Sequence, residues 1–404
     1  MRTVQEHLDA CLAAVRPQAP LEVLLADAVG CLLAEDVLAP GDLPVADLAG
    51  LDGYAVRSDD VATATHRVPV ELRVLDEVRA GMVETSRLVP GAVVRIASGA
   101  PLPLGADAVV PLAMTDGGSA RVAVRTATAA GENVRRQGED LRSGDVVLAA
   151  GERVGARQVA VLAAVGRGRV RVHPRTRVVI VSVGDELVEP GRRAAPGQVY
   201  DANGHALAAA AQDNGAATYR VAAVPDEHEA LRETLEDQLV RADLIITTGG
   251  LSYGANDTVK EVLGPLGTVR FDNVALSPGR QLGLGTLGDG TPIFALPGDP
   301  VAAQVAYEVF VRPALRAMAG YADVFRPSVP AVVDRGWYSP SGRREYVPVR
   351  MTGTARAGYH AQPTAAPGAL VLSGLARANG LAVVPEDVTD VRPGDTLHCV
   401  VLDD

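Results

Sequence analysis

Lysine is almost missing from this chain of 404 residues: of 38 basic side chains only Lys260 is a lysine, the rest being arginine. A compact ammonium on a flexible stem is not equivalent to a planar guanidinium, so a requirement for an ammonium at this position is one reading, and an ordinary helix-surface lysine is the other. Cysteine is equally scarce. Cys11, Cys31 and Cys399 are far apart, with no CxxC pair and no accompanying histidine spacing, which excludes a zinc motif and a disulfide framework and leads us to expect a reducing, cytoplasmic setting. Aromatics make up 3% of the residues, whereas Gly (42) and Pro (27) are plentiful, a balance that favours short elements and tight turns over long bundles. No apolar run reaches the roughly 20 residues of a membrane span, and no basic segment followed by an apolar core opens the chain, so neither a span nor a secretion leader is expected. With a net charge of −11 the mean field repels nucleic acid and anionic membranes, and an anionic ligand needs a local basic pocket.

The length implies several domains. Val4, Leu8, Leu12 and Val15 recur at helical spacing and predict an amphipathic first helix, and LEVLLADAVGCLLAEDV (21–37) predicts a second that breaks at Ala39-Pro40-Gly41. From 46 to 139 short β-rich runs such as VPVELRVLDEV, AVVRIA and ADAVVPLA alternate with Gly, Pro and Asp turns, giving a β-rich domain. Residues 140–175 rejoin 1–45 as one discontinuous N-terminal domain. From 176 to 326 buried β-branched runs alternate with helices, the pattern of a parallel sheet covered on both faces. Residues 327–404 read as a small all-β barrel. The fold class is multidomain α/β plus β.

Ligands in such α/β sheets gather at the carboxyl ends of the strands. Here those ends carry Gly184-Asp185-Glu186, Gly249-Gly250 and Pro297-Gly298-Asp299-Pro300, bringing turns and carboxylates toward one edge. Further carboxylates sit beside glycine or at strand ends: Asp52 in LDGYAV, Asp140 in GEDL, Asp226 in PDEHEAL and Asp257 in GAND. Hard oxygen ligands with few histidines suit Mg²⁺, which takes one or two carboxylates together with water and phosphate oxygens. Turn and cap roles compete with that reading; Asp226 reads first as the N-cap of HEALRETL, and Asp185 as the holder of its own turn. Glycines 249, 250 and 254 let backbone N–H groups approach an anion, and Ser252 offers a hydroxyl. No Ser-His-Asp or Cys-His arrangement is present to support covalent acyl transfer. The pairs Arg135-Arg136 and Arg343-Arg344 are candidates for local positive charge, with solvated surface as the plainer reading.

Seven collinear motifs then resemble one family, the MoeA/gephyrin E-domain proteins: LDGYAV (51–56), RIASGAPLPLGADAVV (95–110), NVRRQGEDL (133–141), GDEL (184–187), TTGGLSYGANDTVK (247–260), LPGDPVAA (296–303) and GRREYVPV (342–349). The resemblance implies an elongated homodimer of four-domain subunits in which a MogA-like α/β domain faces a partner subunit's N-terminal domains across a shared active cleft. It implies molybdenum insertion from molybdate into adenylylated molybdopterin, with Mg²⁺ and release of AMP, and a MogA-like adenylyltransferase and molybdoenzymes as partners. By motif position Asp52, Asp140, Glu186 and Asp257 are expected to be catalytic, with Asp185, Glu186 and Asp257 at the metal. Ser98, Arg135, Arg136, Asp226, Gly249, Gly250, Ser252, Lys260, Ser277, Arg280, Pro297, Asp299, Pro300, Arg343 and Arg344 are expected at the substrates. Such chemistry needs electrostatic clamping more than a nucleophilic side chain.

The chain departs from the family pattern at two turns. A segment resembling KPGKP reads Ser277-Pro278-Gly279-Arg280-Gln281, and the usual PGNP reads Pro297-Gly298-Asp299-Pro300. A carboxylate added about 5 Å from a bound oxyanion costs on the order of 3 kcal/mol at an effective dielectric of about 20, roughly a hundredfold in affinity. Two further readings follow: a diverged paralogue that binds or carries the cofactor without insertion, and a nucleotide-handling adenylyltransferase module. The Asp52 and Asp140 motifs argue against the last.

Overall fold

The computed structural model describes residues 1–82, 87–251 and 257–402. Its contacts divide the chain into two units, one of residues 1–22, 30–34 and 171–404 and the other of 23–29 and 35–170.

The first unit is built on a six-stranded sheet in the order Ala217–Arg220, Arg177–Ser182, Leu244–Thr248, Thr291–Leu296, Gln281–Leu287, Val269–Asn273. The first four strands are parallel, as the alternation of β-branched runs and helices predicts; the last two are added antiparallel through hairpins, which the pattern did not reveal. Strand alternation divides the apolar side chains between two faces. Val178, Ile180, Leu244, Ile246, Phe294 and Leu296 face one core, whereas Val179, Val181, Ile245, Ile293 and Ala295 face the other. The first face is covered by Ala202–Asp213, by the helical run from Pro300 to Met318 with its π-turn Tyr307–Val311, and by the N-terminal helix Val4–Ala13. That N-terminal helix forms as predicted. Thr3 and Glu6 close a capping box at its start, and Val4, His7, Leu8 and Cys11 are buried.

Within the same unit a five-stranded barrel closes in the order Arg344–Thr354, Gly358–Pro363, Ser328–Val333, Thr396–Val401, Gly380–Val384, the last strand returning to the first. Ala331, Val333, Val347, Val349, Ala382 and Cys399 are among the residues filling it. The short strand Leu276–Ser277 pairs with Arg344–Glu345 and so ties the α/β domain to the barrel.

The second unit contains the five-stranded sheet Ala108–Pro111, Gly53–Val56, Ala92–Ile96, Val70–Val78, Arg121–Val124, along with two-stranded ladders and the helix Ala156–Ala164. The second helix expected over 21–37 is not formed. That segment is the strand Leu21–Leu24, the single turn Leu25–Ala28 and the short strands Leu32–Leu33 and Val37–Leu38. Gly30 interrupts it at φ +89°, and Val37–Leu38 finds a ladder partner in Val146–Leu148. Tertiary pairing overrides the helical spacing of the leucines. Among the described residues no helix is long and apolar enough to cross a membrane.

Candidate functional site

Five chain segments meet at the carboxyl ends of the parallel strands and line an open cleft of about 1080 Å³. The strand Arg177–Ser182 leads to Val183 and Glu186; the strand Leu244–Thr248 leads to Gly249, Gly250 and Leu251. Gly279, Arg280 and Gln281 come from one turn, and Pro297, Gly298 and Asp299 from another. Asp226, arriving from the loop before His228–Leu239, completes the wall.

Close backbone approach explains two of the glycines. A Cβ on Gly249, whose φ is +92°, lies 2.3 Å from the Val183 carbonyl oxygen. On Gly279, at φ +80°, it lies 2.7 Å from Ala302 Cβ and 2.9 Å from Pro297 Cγ. The Ser277–Gln281 turn is thereby pressed against the Pro297–Pro300 turn, and only glycine permits both the contact and the left-handed backbone.

Asp226 does not cap the helix after it. The cap position is Glu227, which makes no side-chain capping bond. Instead Asp226 Oδ1 accepts from the Thr258 hydroxyl at 3.1 Å, its backbone N–H donates to Asp185 Oδ1 at 2.9 Å, and the Asp185 N–H approaches Asp226 Oδ2 at 3.4 Å. The two aspartates clasp each other's loops, which holds Asp226 on the cleft. Lys260 Nζ donates to Asp257 Oδ2 at 2.9 Å, both side chains being mostly buried. The single lysine is thus engaged with one of the predicted site carboxylates. Asp299 accepts from the Ala302 N–H at 2.9 Å and caps the helix Pro300–Ala306, so the carboxylate in place of the expected Asn retains a capping function.

Among the described residues no group of three or more His, Cys, Asp or Glu is gathered closely enough to hold a metal on protein ligands alone. The cleft carboxylates match a hard cation that completes its shell with phosphate oxygens and water.

Other expected residues lie elsewhere. In the second unit Asp52 Oδ1 accepts from the Ser98 N–H at 2.7 Å, joining two motifs separated by 46 positions in sequence. Asp140 is in the same unit, its N–H on the Leu43 carbonyl. Arg136 pairs with Asp47 at 2.6 Å, beside Arg135 in the ladder with Leu48. Arg344 pairs with Glu386 at 3.2 Å on the barrel, next to Arg343. Arg343 and Arg344 do not line the cleft of their own unit. Ser252 and Gly254 lie outside the described residues. Ser277 faces a second cavity, of about 470 Å³, walled by Val301 from the α/β domain and by Val347, Pro348, Thr364 and Leu370 from the barrel.

Two supporting residues went unnoticed in the sequence. Thr248 ends a strand as any buried threonine does, and Asn203 sits in an unexceptional helix start; nothing in their spacing signals that both bond to the Pro297–Gly298 turn. Behind them Asp201, almost fully buried, accepts from Ser182 and Arg220, and Arg220 also grips both oxygens of Glu189. That arginine, with His205 assisting, holds the Glu189 carboxyl below the usual carboxylate range.

Fold and cleft define a multidomain α/β protein with a crevice, lined by three carboxylates and one arginine, at the carboxyl edge of a mostly parallel sheet. Comparison with known proteins narrows this class. Residues 2–166 match the model of the MoeA N-terminal region (domain I and II), 179–317 that of a probable molybdopterin binding domain, and 330–402 that of the MoeA C-terminal region (domain IV). Molybdopterin molybdenumtransferase 2 of Mycobacterium tuberculosis (strain ATCC 25618 / H37Rv) is 41% identical over 404 residues, covering 98% of this chain and 99% of that one. Molybdopterin molybdenumtransferase 1 of the same strain is 41% identical over 422 residues, covering 100% and 99%. A crystal structure of a molybdopterin biosynthesis MoeA protein from Pyrococcus horikoshii superposes with a TM-score of 0.81 at 29% identity, covering 100% of this chain and 99% of that one. The chain belongs to the MoeA family.

Proposed function

We propose that this protein is a molybdopterin molybdenumtransferase: it transfers molybdenum from molybdate to adenylylated molybdopterin, with Mg²⁺, releasing AMP. The observation that carries this reading is the convergence of Glu186, Asp226, Gly249-Gly250, Arg280 and Asp299 on one cleft in a chain that matches transferases of that name along its full length.

Each group has a role in the proposal. The N–H groups of the glycine turn and the Arg280 guanidinium bind anionic oxygens, while Lys260 holds Asp257 in place. Of the expected metal ligands Asp185, Glu186 and Asp257, which do not gather into one coordinating group among the described residues, Glu186 lines the cleft and is the group to hold Mg²⁺ together with phosphate oxygens and water. The ion supplies charge neutralisation at the phosphoanhydride. Asp226 orients the substrate, while Asp299, capping the helix Pro300–Ala306, and Ser277 stand at the two turns beside it. Asp52, Ser98 and Asp140 belong to the same reaction in a homodimer whose active site is shared between subunits, and Arg135, Arg136, Arg343 and Arg344 contribute positive field. An adenylyltransferase supplies the substrate and molybdoenzymes receive the product.

The test is AMP release by the purified protein given adenylylated molybdopterin, Mg²⁺ and graded molybdate. Release that rises with molybdate supports insertion. A second reading is favoured by Ser277 and Asp299, which remove one expected cation and add one anion: a paralogue that binds or carries the cofactor without loading it. Tight pterin binding with no molybdate-dependent release establishes that alternative.

A further inference from the structure

The first two carbonyls of the turn at Pro297–Pro300 are both taken by buried side chains from other elements. Thr248 Oγ1, at the end of its strand, donates to Pro297 O at 2.8 Å. Asn203 Nδ2, in the first turn of Ala202–Asp213, donates to Gly298 O at 2.8 Å and to Thr248 Oγ1 at 2.9 Å. Thr248 is 2% exposed and Asn203 8%. The two acceptors determine the orientation of the amide, because exchanging its ends sets Oδ1 against the Gly298 oxygen. In this orientation Oδ1 is buried with no hydrogen-bond partner among the described residues. A buried acceptor without a donor is destabilising, so packing alone does not account for an amide here; its two donations do.

Asn203 is itself held rigidly. Asp201, the N-cap of its helix, accepts from the Gly204 N–H at 2.8 Å, from Ser182 Oγ at 2.8 Å and from Arg220 at 3.3 Å. The helix start is locked to the sheet edge, and Asn203 extends that lock to the turn. The turn in turn carries Asp299, packs on Gly279 next to Arg280, and passes close enough to Gly249 that a Cβ on Gly298 lies 3.5 Å from its Cα.

We propose that Asn203, acting through Thr248, is a positioning residue for the oxyanion bound in this cleft: by fixing the Pro297–Asp299 turn it sets where Asp299 stands relative to Arg280. The inference rests on the molybdate reading above. It touches no reacting atom, so its loss weakens oxyanion binding and leaves the chemical step in place.

The experiment compares the full-length wild type with Asn203→Ala, Thr248→Val, Thr248→Ser and the Asn203→Ala/Thr248→Val double variant, measuring kcat and the KM for molybdate in the AMP-release assay. Asn203→Ala and Thr248→Val are each expected to raise KM about tenfold with kcat within about twofold, the size of one lost hydrogen bond. Thr248→Ser, which keeps the hydroxyl, restores KM, and the double variant is no worse than about the larger single one because both act on one network. A lowered melting temperature with unchanged KM overturns the proposal, as does a fall in kcat at constant KM or a double variant whose effects multiply. If the wild type releases no AMP, the transfer reading fails on its own; the positioning role is then decided by calorimetric titration of molybdate alone into the same variants, where equal affinities for wild type and Asn203→Ala, including none for either, overturn it.

Discussion

Asp257 and Asp299 are both expected site carboxylates, yet their surroundings assign them opposite roles. Asp257 is gripped by Lys260 and is expected at the metal. Asp257→Ala is predicted to reduce molybdate-dependent AMP release at least about a hundredfold, the order of a lost electrostatic stabiliser, while shifting the melting temperature by only a few degrees. Unchanged turnover in that variant removes Asp257 from the site. Asp299, by contrast, is a helix N-cap whose charge opposes an oxyanion. Asn caps as well as Asp, so Asp299→Asn is predicted to leave thermal stability unchanged and to lower the molybdate KM. Partial exposure screens the repulsion, and the expected gain is about tenfold, below the hundredfold reckoned from charge alone. A KM equal to wild type refutes the repulsion argument. These residues were legible because glycine and proline punctuate them; Asn203 and Thr248 were not, because their partners are backbone atoms about 95 and 49 positions away.

The N-terminal helix shows how one element carries a pH dependence. His7 is 2% exposed, stands edge-on to Phe310 with ring centroids 4.8 Å apart, and has a buried Nδ1 with no hydrogen-bond partner among the described residues. Burial, aided by the positive charge of Arg2 and opposed by Asp272, pushes its pKa from 6.5 down to about 4. The folded state therefore binds fewer protons than the unfolded chain between those values. Its contribution is intact above pH 6.5, declines as pH falls and is fully lost below about 4, a change on the order of 3 kcal/mol. Urea midpoints of wild type and His7→Leu are expected to converge at neutral pH and separate on acidification, with the variant less sensitive. Parallel pH profiles contradict this account. The amphipathic spacing of this helix was readable from its own residues, whereas 21–37 carried similar leucine spacing and became strands because their ladder partners lie far along the chain.

At the scale of the whole molecule, the α/β domain and the barrel are joined by a partly buried charge cluster. Arg326 Nε donates to Glu308 at 2.7 Å, its Nη1 donates to the Leu402 carbonyl at 2.7 Å, and Arg312 stands 3.8 Å from the same carboxylate. Arg326→Met strands part of the Glu308 charge and frees the last barrel strand, at an expected cost of about 3 kcal/mol. The check is chemical denaturation together with proteolysis at the 321–327 connection; unaltered stability and protection mean that the barrel is held without this cluster, by apolar packing and the Leu276–Ser277 ladder.

Composition and motif order determined much of this protein from the sequence: a multidomain α/β and β chain, a largely parallel sheet and the family. They did so because strand and helix periodicity, glycine punctuation and the run of carboxylates are local properties of the chain. The tertiary structure alone decided that Asp226 faces the cleft instead of capping a helix, that 21–37 is extended, that two strands join the sheet antiparallel, and that Asn203 and Thr248 hold the turn carrying Asp299. Each of these depends on which distant backbone groups need a hydrogen-bond partner once they are buried, and a linear pattern holds no record of that demand.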